Sequence, residues 1–302
     1  MKQGAFNPGE MLSYSAGSTQ TGPDGFRKVN RAGLPLLGLL RHLFPEGYAP
    51  FGERLPLVLN AYPASVGFPT DGLLVDCYLS FRTASRALQL AARENMPVLV
   101  LGQSLFVAEL LQRHRDQGFP WPDAIIALVG GYHTPLSLER TLQGWLEPLQ
   151  VSLGFVHGYG AAEVEAGMLF ASERNARGQL RYRPRGADIH ISAPGGRLYL
   201  ALQDAQGQLL AEPFDSGDNA SADGDAWIIE NAGSRLSPLV LATLESWTGA
   251  DWARRTGYVK RIDQRVVVQL REGIEAAGPD ELPFYMYAER YGMAWLEKPK
   301  WG

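Results

Sequence analysis

Four short stretches of this chain hold the residue types that chemistry on a charged ligand requires. The first, "SYSAGSTQTGPDGFRK" at 13–28, packs hydroxyls and glycines into a loop that ends on Arg27 and Lys28. Backbone N–H groups in such a loop form an anion-binding nest, to which hydroxyls and an ammonium add contacts. A plain Ser/Gly loop is the competing explanation, and the stretch contains no G-K-[ST]. "GGYHTPL" at 130–136 and "HGYGAAEVEAG" at 157–167 each set glycines beside an aromatic ring. Glycine lets the backbone approach a flat or phosphorylated ligand, Tyr132 and Tyr159 can stack on a ring, and Glu163 can hold a metal-bound phosphate. The fourth stretch, "DSGD" at 215–218, lies in a run rich in Asp, Gly, Ala and Ser. Glycine turns at strand ends need no ligand, and that alternative stands for each stretch taken alone.

The elements that must position these residues show in the periodicity. From residue 72, apolar runs alternate with helix-like segments: "GLLVDCYL", "TASRALQLAAREN", "MPVLVLG", "SLFVAELLQRHRDQ", "AIIALVGG", "SLERTLQGWLEP" and "VSLGFV". Strand-helix alternation of this kind predicts a parallel sheet, and short continuous apolar runs suit strands covered on both faces. The run around Cys77 reads as one such buried strand, and Ser104 and Ser137 read as helix N-caps. Ligands collect beyond the carboxyl ends of strands in such sheets, and "GQS" at 102–104, "GGYHTPL" and "HGYGAAE" all fall there. After residue 188 the period becomes two: "DIHIS" and "RLYLAL" predict antiparallel hairpins, with a turn at "DAQGQ". The region 203–226 has a loop composition, "SRLSPLVLATLESWTG" looks helical, "RVVVQL" looks like a strand, and an aromatic tail closes the chain. The fold class is therefore α/β: a parallel sheet flanked by helices, then a smaller β-rich part. The change of period divides the chain into 1–185 and 186–302.

Composition removes several function classes. A formal charge of -4 with no dense basic run lacks the footprint of a nucleic-acid binder. The most apolar stretch, "AGLPLLGLL", is too short to span a membrane, and "MKQGAFNPGE" has no signal-peptide core. One cysteine excludes an intrachain disulfide and fits a reducing cytoplasm. No G-x-S-x-G is present, and the five histidines lack paired metal spacing.

Taken in order, "YSAGST" at 14–19, "GGYHTPLS" at 130–137, "HGYGAAE" and "DSGD" resemble the motifs of the adenylate-forming superfamily of acyl-CoA synthetases, adenylation domains and luciferases. The compactness resembles the phenylacetate-CoA ligase and acyl-protein synthetase branch. The resemblance spans roughly two thirds of the chain and rests on motif order, each motif being weak alone. It implies the fold of that superfamily's large domain, and ATP-dependent activation of a carboxylic acid as an acyl-adenylate, with transfer to a thiol or amine. It assigns phosphate to Ser15, Gly17, Ser18 and Thr19, with Lys28 adjoining. Adenine goes to Gly131, Tyr132 and Tyr159, with Gly160 and Ala162 in the same turn; Mg2+ goes to Glu163 and ribose to Asp218. Arg235 and Arg261 are both candidates for a ribose-contacting arginine. His157 would face the acyl pocket, with a hydrogen-bonded structural histidine as the alternative.

The departures matter too. Gln20 stands where the resemblance expects glycine, Ala162 where it expects threonine, and Ser216 where it expects threonine. The chain begins close to the phosphate loop, and no mobile domain with a catalytic lysine is recognisable; Lys298 and Lys300 are the only late lysines. The expected ligands are ATP, Mg2+, a carboxylic acid and coenzyme A as one acceptor, with a carrier protein or a second synthetase subunit as a macromolecular partner. The competing class is a degenerate homologue that binds nucleotide or acyl-adenylate, or serves as a partner subunit, without catalysis.

Overall fold

A computed structural model describes residues 11–14, 26–29, 36–61, 71–77, 81–130, 134–161, 164, 168–230, 257–262, 265–270 and 273–276. Strands β1 (Met11–Tyr14) and β2 (Phe26–Val29) form a two-stranded antiparallel sheet. Helices α1 (Leu36–Leu43) and α2 (Pro45–Tyr48) follow. Next come β3 (Leu57–Asn60), β4 (Leu73–Asp76), α3 (Phe81–Arg93), β5 (Val98–Gly102), α4 (Ser104–Asp116), β6 (Ala124–Val129), α5 (Leu136–Leu146) and β7 (Ser152–Tyr159). The chain continues through β8 (Leu169–Ala171), β9 (Arg181–Pro184), β10 (Ile189–Ser192), β11 (Arg197–Leu202), β12 (Phe214–Asp223) and β13 (Ala226–Glu230). Strands β14 (Gly257–Ile262), β15 (Arg265–Leu270) and β16 (Gly273–Ala276) make a separate antiparallel sheet.

One eleven-stranded sheet, in the order β10-β11-β12-β13-β9-β8-β7-β6-β5-β3-β4, organises the molecule. Strands β4, β3, β5, β6 and β7 pair in parallel, and β8 switches the sheet to antiparallel pairing. The period of two shows directly in what each strand residue meets. Val98, Val100, Ile125, Ala127, Leu153 and Phe155 join the core that contains Leu88 of α3, Leu110 of α4 and Leu142 of α5. Leu99, Leu101, Ile126, Leu128 and Val156 join the opposite core with Leu36 and Leu40 of α1 and Tyr48 of α2. Every residue of β5 and β6 is buried, so the sheet is covered on both faces, as the continuous apolar runs predicted.

Three local readings are corrected by tertiary context. Strand β4 is the end of the sheet, and Leu73 and Leu74 are 43% and 45% exposed, so the run before Cys77 is an edge rather than a buried strand; Cys77 itself is buried. Ser104 and Ser137 lie inside their helices: Gln103 and Pro135 occupy the cap positions, and neither makes a side-chain cap bond. Pro135 begins α5 early because its carbonyl already accepts the N–H groups of Leu138 and Glu139. The polar region 203–226 is not all loop. The turn at Asp204 forms, its carboxylate accepting the N–H groups of Gln206 and Gln208, but 214–223 is the ten-residue strand β12. Only Ala220 of that strand is buried, so pairing with β11 and β13, rather than composition, makes it a strand.

Candidate functional site

Strand β7 carries the site. Phe155, His157 and Tyr159 alternate on one face and are all buried. Val129 of β6 flanks His157 on one side and Ala171 of β8 on the other. Strand β7 ends at Tyr159, whose carbonyl accepts the Met168 N–H at 3.0 Å. Gly160 is exposed, and the Val164 N–H donates to the Ala161 carbonyl.

The Tyr159 hydroxyl donates to Oδ2 of Asp218, 59 residues away in sequence, at 2.6 Å. In hydrogen-bond order four inter-strand steps separate β7 from β12. At about 4.8 Å per step a flat sheet would hold them about 19 Å apart, so the antiparallel part curls back over the end of β7. Tyr159, Met168, Leu180, Tyr182, Leu198, Leu200, Ala220 and Ile229 fill the core inside that curl. The Tyr159 ring meets Tyr182 edge-on, with centroids 6.0 Å apart. Burial first, and the Asp218 charge second, push the Tyr159 phenol well above its ordinary range, which keeps it a neutral donor.

Asp218 reaches Tyr159 from a bulge. Arg197 of β11 lies opposite Asn219, and Tyr199 lies opposite Asp215, so three residues of β12 face one of β11. Ser216 spans the gap: its hydroxyl donates to the Leu198 carbonyl at 3.0 Å and accepts the Asp218 N–H at 3.2 Å. Gly217 sits at φ +84°, a conformation that side chains other than glycine rarely adopt. The Ser216 hydroxyl thus shapes this turn.

His157 lies two residues before Tyr159 with Nε2 3.2 Å from Oε1 of Glu139, which also accepts from Nη2 of Arg174 at 2.5 Å. All three are largely buried, and they tie α5 to β7 and to the segment after β8. Sequence reasoning missed Glu139 and Arg174. The available signal was an acid in helical register with Leu142 and Leu146, on the stripe that α5 turns to the core. The carboxyl ends of β5 and β6 add three buried polar atoms without hydrogen-bond partners among the described residues: Gln103 Oε1, Ser104 Oγ and Thr134 Oγ1.

The structure thus brings Tyr159 and Asp218 together and holds His157 beside them on β7. Lys28 lies in β2 opposite Leu12, and Arg261 lies in β14 opposite Val266. Ser15, Gly17, Ser18, Thr19, Gly131, Tyr132, Ala162, Glu163 and Arg235 fall outside the described residues. Tyr14 pairs with Phe26, the residues that flank 15–25. Among the described residues no cluster of three His, Cys, Asp or Glu is placed to hold a metal, and no helix is long and apolar enough to cross a membrane.

No protein-family model matches the sequence, and no curated protein matches it. Solved structures do match in fold. The anthranilate CoA ligase AuaEII in complex with anthranoyl-AMP is similar at a TM-score of 0.51 and 13% identity, over 88% of this chain and 54% of that one. An acyl-CoA synthetase (AMP-forming)/AMP-acid ligase II-like protein from Dyadobacter fermentans gives 0.44 and 13%, over 74% and 60%. The amide bond synthetase McbA from Marinactinospora thermotolerans gives 0.43 and 11%, over 75% and 49%. The chain therefore spans about half to three fifths of the length of these enzymes. It shares the α/β fold of the anthranilate CoA ligase.

Proposed function

We propose that this chain binds ATP with Mg2+ and activates a carboxylic acid as its acyl-adenylate, passing the acyl group to a thiol or amine acceptor. The observation that supports this most is the contact between Tyr159 and Asp218 at the carboxyl end of β7. Ligands gather at that end of a parallel sheet. An ionised carboxylate accepts hydrogen bonds at both oxygens, which is the chemistry that the vicinal hydroxyls of a ribose require. Glycine at 160 lets the backbone of the turn after Tyr159 approach a flat base.

The remaining roles follow from the motifs. Ser15, Gly17, Ser18 and Thr19, with Lys28, would meet the phosphates; Gly131, Tyr132 and Tyr159 the adenine; and Arg235 or Arg261 the ribose. Mg2+ is commonly held by one or two carboxylates together with substrate phosphates rather than by a protein cage, which suits a site with Glu163 as its protein ligand. Bound there, it would neutralise phosphate charge. A carboxylate oxygen of the acid would attack the α-phosphorus, and pyrophosphate would leave. His157 sits on the same face of β7 as Tyr159, with its Nε2 held 3.2 Å from Glu139, and in this reading would face the acid. Positioning and charge neutralisation would supply most of the rate. The chemistry named for the anthranilate CoA ligase makes coenzyme A a candidate acceptor here, and a carrier protein or a second subunit the macromolecular alternative.

Titration calorimetry of Mg-ATP into the wild type and Asp218→Ala tests the reading. Loss of hydrogen bonds to a charged group should weaken binding roughly tenfold or more in the variant. Pyrophosphate release with a panel of carboxylic acids then identifies the substrate. Equal binding by both proteins, or none at millimolar ATP, would remove Asp218 from the site.

A further inference from the structure

Asp218 owes its place to a bulge, and a bulge is by definition the part of a strand that the ladder does not hold. Something else must set its shape. Three bonds inside it, from Ser216 to the Leu198 carbonyl, from the Asp218 N–H to Ser216 and from the Gly217 N–H to Asp215, set its inner turn. The fourth tie crosses its mouth. Arg197 belongs to the register pair that closes the bulge on one side, with Asn219, and Asp215 to the pair that closes it on the other, with Tyr199. Arg197 Nε lies 2.8 Å from both carboxylate oxygens of Asp215. The same carboxylate accepts the Gly217 N–H at 2.9 Å. One ion pair thus straps the two ends of the bulge together and also holds the glycine whose positive φ turns the chain toward Asp218.

We propose that Arg197 and Asp215 are a positioning pair for nucleotide binding: they fix the bulge so that Asp218 meets the ribose. The proposal rests on the reading of Asp218 given above. Arg197 is 51% exposed and Asp215 39%, and exposed pairs of this kind contribute little to overall stability. A purely structural pair would therefore leave almost no trace when removed, whereas a positioning pair leaves its trace in ligand affinity. Arg197, followed by the Gly217 N–H, holds the Asp215 carboxyl below the usual carboxylate range, so the pair is ionised near neutrality.

The test measures AMP and adenosine binding by calorimetry to the full chain and to Arg197→Gln, Asp215→Asn, their double variant, Arg197→Lys and Asp218→Ala. Adenosine carries no phosphate, so it isolates the ribose and base contacts. The expected result is that Arg197→Gln and Asp215→Asn each weaken both ligands by about threefold to tenfold, and that the double variant is no weaker than the weaker single, as for residues acting as one unit. Arg197→Lys should regain most of the affinity, and melting temperatures should not move. Three results would overturn the proposal. If Arg197→Gln weakens AMP but not adenosine, Arg197 meets the phosphate itself. If Asp218→Ala weakens both ligands and neither single variant does, the pair is an ordinary surface bridge while the ribose assignment stands. If Asp218→Ala changes nothing, or the wild type binds neither ligand, the proposal falls together with the reading beneath it.

Discussion

Replacing Tyr159 with phenylalanine removes one hydroxyl from the joint between the two halves of the sheet and leaves the ring in place. The lost bond is a 2.6 Å donation to a carboxylate, and hydrogen bonds to charged groups contribute about 1.5–3 kcal/mol. Asp218 is only partly buried, so water can solvate it in the variant, and the lower end, about 1.5 kcal/mol, is the expected loss. With a urea m-value of ~3 kcal/mol/M, that shifts the unfolding midpoint by ~0.5 M. Calorimetry supplies the second readout. Tyr159→Phe should weaken Mg-ATP less than Asp218→Ala does, because the carboxylate remains and loses only its bond from the phenol. An unchanged midpoint together with unchanged affinity would show that the phenol neither braces the curl nor orients Asp218, and the argument from their contact would fail.

Glu139→Ala should destabilise the protein more than Tyr159→Phe does. It leaves Arg174, 18% exposed, without its carboxylate, and stranding a buried charge costs about 3–5 kcal/mol; Glu139→Ala/Arg174→Met should recover much of that in urea unfolding, and equal loss in both would refute the charge argument. His114 is fully buried, with Nε2 donating to the Pro120 carbonyl and Nδ1 accepting from Ser85, and burial lowers its pKa from 6.5. The unfolded chain then takes up a proton that the folded chain refuses, so stability is complete above about pH 6.5 and falls as pH drops toward the folded value. NMR titration of the ring placing its midpoint at or above 6.5 would contradict this. Thr134→Val should leave stability unchanged or slightly higher, because the buried hydroxyl it removes has no partner among the described residues; a loss of about 1 kcal/mol or more in denaturant unfolding would reveal a bond to that hydroxyl.

The parallel half of the fold was legible because its strands are buried on both faces, and that condition writes itself into short runs such as "VLVLG" and "AIIALV" without help from the rest of the chain. What was not legible depended on position within the sheet. "GLLVD" has the composition of a central strand and lies at the end, while "FDSGDNASAD" has the composition of a loop and is a strand between two others. Composition reports what a segment can bury, and the sheet decides what it must pair with. The site divided in the same way. Tyr159 and Asp218 could be named from their local motifs, but Glu139 and Arg174 belong to no motif and gain meaning only where α5 meets β7.

The meeting of Tyr159 and Asp218 is the least local feature of all, and it follows from the curl. A flat sheet would leave an aromatic turn at one place and an acidic turn about four strands away. Curling is stabilised by the apolar side chains it encloses, Leu180, Leu198, Leu200 and Ile229 among them, none of which is near either motif in sequence. The site is therefore maintained by residues that carry no chemistry. A cavity-forming change such as Leu198→Ala, at a fully buried position whose carbonyl also anchors Ser216, acts on the bulge and on the curl together. In this fold the core of the antiparallel part is the device that sets the distance between Tyr159 and Asp218.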